Sequence, residues 1–336
     1  MSKIVPYFYK MKHISIIVPK GAILGSLEGT RQLFAQVNQF FAAQDAPAAF
    51  NVQLVGIEKE TKVSGGKFTV HSDQLYYEVE KTDLIVIPAI DGDLKNAIEE
   101  NKKFIPWIVK HHEQGAEIAS LCLGAFLLAS TGLLNGMKCA THWVAANEFR
   151  MMFPEVELVD DKIITEEKGI YSSGGAFSYL NLILHLIEKY VGREMSILSA
   201  KVFAIELERK HQSPFMIFQG QKGHADDEVK SAQEFIEKHY QDKISIDQLA
   251  DMFAVGKRSF ERRFKKATSN SVAEYIHRVK IEAAKKELEV GAKNVNEIMY
   301  EVGYSDNKNF RTLFKKFTGL SPMAYRNKYN RPALAV

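Results

Sequence analysis

The chain has 336 residues, 46% of them hydrophobic and 25% charged, with a formal net charge of +3 and two cysteines. That length exceeds one ordinary core and suits two or three domains of roughly 100 to 200 residues each. The composition excludes a disulfide-stapled scaffold, no apolar run approaches the ~20 residues of a membrane span, and MSKIVPYFYKMKHISIIVPKG lacks a secretory layout, so a cytoplasmic protein with no membrane partner is expected.

Up to about Tyr190 short runs rich in Val and Ile, HISIIVP, NVQLVGI, DLIVIPAI, EIASLC, VELVD and KIITEE, read as strands. Between them lie helix-like stretches, Thr30 to Ala43, Leu94 to Glu113 and Ala125 to Leu134. This alternation predicts an α/β domain with a mostly parallel sheet, and the nearly all-apolar strands 14–18, 84–88 and 117–121 are those expected with helices on both faces. Gly65 and Gly66 mark a turn. His111 and His112 close an amphipathic helix, where the helix dipole favours them at the surface. No His and Cys spacing suggests a metal site, no phosphate loop appears, and no cofactor is expected.

After Phe177 to Tyr190, a second helix is expected from Arg193 to Lys210. Residues 211–225 have Pro, two Gly and no period, and read as the linker between a domain at 12–210 and another at 226–331. From there strand signals almost vanish. From His224 onward 21 Lys and Arg face 16 Asp and Glu, against 23 and 25 before it, so the positive charge sits in the C-terminal third.

That third repeats itself. FERRFKKAT at Phe260 and FRTLFKKFT at Phe310 share Phe, three residues, Phe-Lys-Lys, one residue, Thr. Ile246, Leu249, Ala250 and Phe253 mark a short helix before the first, and Val295, Ile298 and Met299 one before the second, so each copy is a helix-turn-helix by spacing. Val272 to Val290 can be one intervening helix, ~28 Å long at ~1.5 Å per residue, stopped at Gly291. That is close to the ~34 Å of one DNA turn, so one chain can offer two helices to successive major grooves of double-stranded DNA. With the Phe pairs inward, Arg258, Glu261 and Arg262 in the first helix and Asn307, Lys308, Arg311 and Thr312 in the second suit base edges. Lys265, Lys266, Lys315 and Lys316, at the far ends, suit phosphates.

Residues from about Asp226 to Asn330 resemble the DNA-binding domain of the AraC/XylS transcription regulators, most specifically in GYSDNKNFRTLFKKFTGLSPMAYR. The resemblance implies seven helices, an all-α domain with two helix-turn-helix motifs, and base readers at the residues just named. SNSVAEY departs from the Gly-x-Ser-Pro turn that the second copy keeps at Gly319 to Pro322.

Cys122, in EIASLCLGAFLLASTG, lies where an apolar strand turns into a helix. Helix amides there can lower a thiol pKa, which suits a nucleophile; from spacing alone a small buried apolar side chain is the better fit. Residues 12 to 192 resemble the class I glutamine amidotransferase-like superfamily, close to PfpI-type proteases, through CLGAFLLASTGLLNG, CATHW and YSSGGAFSYLNLILHLIEKYVG. The resemblance implies a flavodoxin-like sandwich, a homodimer, and a pocket above Cys122 with Ser26, Gly92, His142 and Gly174 around it. Leu123 stands where the proteases carry His, and Ser26 where relatives carry Asp or Glu, so the activating partners of a nucleophile are missing. The expectation is a transcription regulator sensing a small-molecule effector, an amino acid or quaternary amine by resemblance, and not an enzyme. A cysteine hydrolase or deglycase using Cys122 is the alternative. His142 suits either a pocket hydrogen bond or a loop tie.

Overall fold

The computed structural model describes residues 10–207 and 210–330. The chain divides into two units, Met1–Gln212 and Ser213–Val336. No helix among the described residues is long and apolar enough to cross a membrane.

In the first unit the strands are β1 (Lys12–Val18), β2 (Phe50–Gly56), β3 (Glu60–Val63), β4 (Phe68–His71), β5 (Gln74–Leu75), β6 (Leu84–Ile87), β7 (Glu117–Leu121), β8 (Lys138–Cys139), β9 (Glu157–Leu158), β10 (Ile164–Glu167) and β11 (Ile170–Ser173). The helices are α1 (Leu24–Ala42), α2 (Leu94–Glu100), α3 (Phe104–Glu113), α4 (Gly124–Ala129), α5 (Ala146–Met152), α6 (Tyr179–Val191) and α7 (Arg193–Val202). Seven strands form one sheet in the order β10-β11-β7-β6-β1-β2-β5. Its pairs are parallel except β10 with β11.

Two cores sandwich this sheet, because strands such as LIVI of β6 are buried along their whole length. Leu33, Phe34 and Val37 of α1 with Leu182, Leu186 and Met195 of α6 and α7 cover one face. Phe104, Ile108, Phe126 and Phe149 of α3, α4 and α5 cover the other. The architecture is flavodoxin-like α/β. The chain runs from β1 to β2 on one side and then places β6 on the other, so the carboxyl ends of β1 and β6 flank a topological switch point, where such sheets bind ligands.

Several boundaries differ from expectation, each for a local reason. α1 begins at Leu24 rather than Thr30. Gly25 and Gly29 disguise its first turns, yet a Cβ on Gly29 would lie 2.4 Å from Tyr179 Oη, so glycine is what lets α6 approach. The single helix expected over 94–113 breaks at Asn101, whose side chain exchanges hydrogen bonds with the Lys20 backbone. α4 stops at Ala129, where Ser130 and Thr131 turn their hydroxyls onto the Leu127 and Leu128 carbonyls. α7 stops at Val202, not Lys210, because Ala204 turns to φ +52° and the Ile205 N–H closes on Ala200 O. The expectation that His111 lies at the surface is corrected: it is buried, edge-on to Trp107 at 4.7 Å, because both lie on the inner face of α3 with Phe104 and Ile108. Burial lowers its pKa. Ser64, Gly65 and Gly66, all at positive φ, turn an unforeseen hairpin, β3–β4.

The second unit contains seven α-helices among its described residues: α8 (Asp227–Lys238), α9 (Ile246–Met252), α10 (Lys257–Thr268), α11 (Val272–Val290), α12 (Val295–Glu301), α13 (Asn307–Thr318) and α14 (Pro322–Tyr329). The sequence writes most starts as caps. Asp226, Ser245, Ser271, Asn294, Asp306 and Ser321 each accept a backbone N–H from the first turn, and Glu297 completes a capping box with Asn294. One core joins Val229, Ile236, Leu249, Phe260 and Phe264 to Val272, Tyr275 and Ile276; the other joins Ile281, Ala284 and Leu288 to Ile298, Phe310, Phe314 and Tyr325. α11 therefore serves both halves, as their common spine.

Residues 211–225, read as the linker, are tied down within each unit. Gln212 is buried in the first, its Nε2 within hydrogen-bond distance of the Thr141, Asp160 and Lys162 carbonyls. In the second, Met216 O accepts from Lys285 Nζ and the Phe218 N–H donates to Glu282.

Candidate nucleic-acid interface and ligand site

The repeated motif explains itself in α10 and α13. Phe260, Phe264, Phe310 and Phe314 are fully buried, at i and i+4 on the inner face. Phe264 meets Tyr275 edge-on at 5.3 Å, and Phe314 meets Tyr325 at 5.5 Å. The Thr that ends each motif is equally buried. Thr268 Oγ1 donates to Phe264 O at 2.8 Å and accepts the Asn270 N–H at 3.2 Å, and Thr318 does the same with Phe314 O and the Leu320 N–H at the same distances. Each helix then ends in a left-handed residue, Ser269 at φ +59° and Gly319 at +70°. The SNSV departure thus leaves the geometry of the first copy unchanged.

Away from those inward residues most of the polar side chains face outward. Arg258, Glu261, Arg262, Lys265 and Lys266 of α10, and Asn307, Lys308, Arg311, Thr312, Lys315 and Lys316 of α13, are all exposed. The two halves are not identical: residues 253–256 form the first turn and the longer 302–306 the second. Asn307 donates to Asn296 Oδ1 and accepts from Arg311 Nε, which orders Arg311 along the helix. Thr312 spends its proton on Lys308 O.

Two cations of the basic run do other work, which charge counting missed. Arg263 forks onto Asp226 and reaches Glu228, and Lys257 pairs with Asp247. Arg258 and Arg262 have no such partner among the described residues. The only signal for Arg263 was its spacing: it lies three residues beyond Phe260, on the half-buried flank.

In the first unit Cys122 follows β7 at φ +54°, a strained conformation for a residue with a Cβ. Its N–H donates to Ser173 O and its carbonyl accepts from Thr141 Oγ1, both at 2.9 Å. A Cβ on Gly124 would lie 2.4 Å from Pro88 O, so α4 starts directly over the end of β6. This is an elbow, as expected; Cys122 is 4% exposed, and burial pushes the thiol up to about 11 against the opposing effect of the Leu123 N–H.

The other expected pocket residues are engaged in the fold. Ser26 Oγ donates to Ile23 O at 2.8 Å and accepts the Ala89 N–H at 3.1 Å. His142 Nδ1 accepts the Val144 N–H at 3.2 Å and so caps a turn, and burial lowers its pKa. A Cβ on Gly174 would fall 1.9 Å from Gln212 Nε2, which marks it as a packing glycine. Gly92, at φ +85°, turns the loop after β6 beside open space. The structure groups Cys122, His142 and Gly174 through Thr141, Ser173 and Gln212, and ties Ser26 to the adjoining β6 end. Sequence reasoning missed Ser173, within the quoted YSSGG. It is fully buried at the carboxyl end of β11, and its hydroxyl has no partner among the described residues. No group of three or more metal-ligating side chains occurs among those residues.

Residues 29–189 match the DJ-1/PfpI family, and residues 249–328 match the Helix-turn-helix domain family. The chain thus joins a segment similar to the DJ-1/PfpI family to one similar to a helix-turn-helix domain. It is 23% identical over 222 residues to the HTH-type transcriptional regulator GbdR of Pseudomonas aeruginosa, covering 66% of this chain and 60% of that one. With the HTH-type transcriptional regulator ArgR of the same species it shares 24% over 215 residues, covering 64% and 65%. The chain thus spans less than two thirds of the length of these relatives. The DJ-1/PfpI domain also shares its fold with the crystal structure of an AraC family transcriptional regulator from Pseudomonas putida, at a TM-score of 0.50 and 14% identity, covering 57% of this chain and 99% of that one.

Proposed function

We propose that the protein is a sequence-specific DNA-binding transcription regulator, acting as a homodimer in the cytoplasm. Its DJ-1/PfpI domain, residues 12–210, binds a small effector without catalysis, and residues 226–331 read DNA. The observation that carries this reading is the duplicated helix in which the same Phe pair and the same Thr are buried while every candidate base and phosphate contact is exposed. Arg258, Glu261 and Arg262, with Asn307, Lys308, Arg311 and Thr312, read bases; the four lysines at the helix ends meet phosphates. An effector of amino-acid or quaternary-amine type would sit above Cys122, at the carboxyl ends of β7 and β11, where the buried Ser173 hydroxyl has no partner among the described residues. It would act by binding one arrangement of the protein more tightly than another.

The test is selection of duplexes from a randomised pool by the whole protein, followed by gel shifts. Arg262→Ala and Arg311→Ala are expected to weaken binding and relax base preference; unchanged shifts in both would overturn the reading. The strained elbow at Cys122 favours the alternative, a cysteine hydrolase or deglycase. Against it stand the raised thiol pKa and the engagement of Ser26 and His142 elsewhere.

A further inference from the structure

Two lysines of α11 are almost wholly buried, Lys280 at 6% exposure and Lys285 at 4%. Lys285 has a counter-ion, Glu282, at 2.7 Å. Lys280 has none. Its Nζ donates instead to two backbone carbonyls, Gly303 O at 3.0 Å and Asp242 O at 3.3 Å, and lies 5.5 Å from the centre of the Tyr304 ring.

Those carbonyls belong to different halves of the DNA-reading domain. Asp242 is in the loop between α8 and α9, and Gly303 is in the turn between α12 and α13. The halves also touch there directly, because a Cβ on Gly303 would lie 2.1 Å from Gln241 O and 2.5 Å from Lys280 Nζ. One helical turn earlier, His277 stacks on Tyr304 and Nδ1 meets its hydroxyl at 2.8 Å. Lys280 is thus one donor pinning the loop of the first half to the turn that launches the second reading helix.

Stability does not account for such a residue. Burying an ammonium with no carboxylate in direct contact is costly, the Asp242 carboxylate offsetting this only from beyond ion-pair distance, and apolar replacements of buried charges are often neutral or stabilising. What two fixed carbonyls gain from a shared donor is a defined mutual position. We propose that Lys280 is a positioning residue that sets the relative placement of α10 and α13 and thereby the half-site spacing the protein accepts. This rests on the DNA-reading function proposed above.

The experiment uses the whole protein and the duplex that the wild type selects, with variants of that duplex in which one half-site is scrambled or the spacer is changed. Lys280→Met is expected to keep the thermal midpoint and the affinity for single half-sites. On the two-half-site duplex it should bind about tenfold more weakly and lose its preference for one spacer, since joint engagement depends on geometry. Equal weakening on both kinds of duplex, or an unchanged spacer preference, overturns the role. Lys280→Gln, read in the same way, decides the matter should the Met variant fail to fold; if neither folds, Lys280 is a stability element and the proposal fails. A wild-type protein that selects no duplex sinks the DNA-reading function, and this role with it.

Discussion

Arg263 grips Asp226 with a two-point fork, Nε to Oδ2 at 2.8 Å and Nη2 to Oδ1 at 2.6 Å, while the same carboxylate caps α8 by accepting the Val229 N–H. α10 is thereby fastened to α8, the first helix of its domain. The Arg263 fork, more than the cap, holds the Asp226 carboxyl below its usual range. A depressed carboxylate pKa stabilises the fold above its unfolded value, about 3.9, and the contribution is lost as pH falls through the lower folded value. Arg263→Met should lower the thermal midpoint at neutral pH, and its gap from wild type should close below about pH 4. A gap of constant size across that range would show that packing of the Arg stem is what counts.

The exposed cations divide by expected readout. Alanine at Arg262 or Arg311 should cost ~1–3 kcal/mol of DNA affinity and relax preference at one or two base positions. Lys265→Ala or Lys315→Ala should weaken all duplexes alike and reduce the slope of log affinity against log salt by about 1. Fluorescence anisotropy over a salt series separates the two patterns.

Cys122 should alkylate slowly at neutral pH. With burial holding its thiol at about 11, the rate with iodoacetamide should still be climbing above pH 9, and Cys122→Ser should remove the labelled peptide. A rate that levels off near neutrality would mark an activated thiolate and favour the hydrolase reading.

Ser269 holds, with a Cβ, the left-handed backbone that Gly319 holds without one. Left-handed geometry costs a residue with a Cβ roughly 1–2 kcal/mol, so Ser269→Gly should raise stability to urea by ~1 kcal/mol once the looser unfolded chain is counted. Gly319→Ala should lower it by a similar amount.

Periodic features were the readable ones. The span of α11, Val272–Val290, followed from apolar steps of 3, 4, 7 and 11 residues, and both helix-turn-helix units followed from the Phe and Ile spacing, because local burial alone dictates those patterns. What escaped depends on partners distant in sequence. Gly29 looks like a helix breaker until Tyr179, 150 residues on, is seen pressing against it. His111 reads as a surface group until Trp107 turns it inward. Gln212 reads as linker, and its carbonyl partners lie 50 to 71 residues away. The elbow at Cys122 was foreseeable from its strand-to-helix setting; the reactivity of the thiol was not, since that depends on desolvation by the whole surrounding fold.

The unequal turns before α10 and α13 carry one more consequence. The corresponding outward positions also differ, Glu261 facing Arg311 and Arg262 facing Thr312 across the duplication. On the proposed DNA-reading function, unlike helices on one polypeptide would give a bound duplex a head and a tail. Inverting an operator would then exchange which helix meets which half-site, so the polarity of a binding site relative to its gene would become part of the signal.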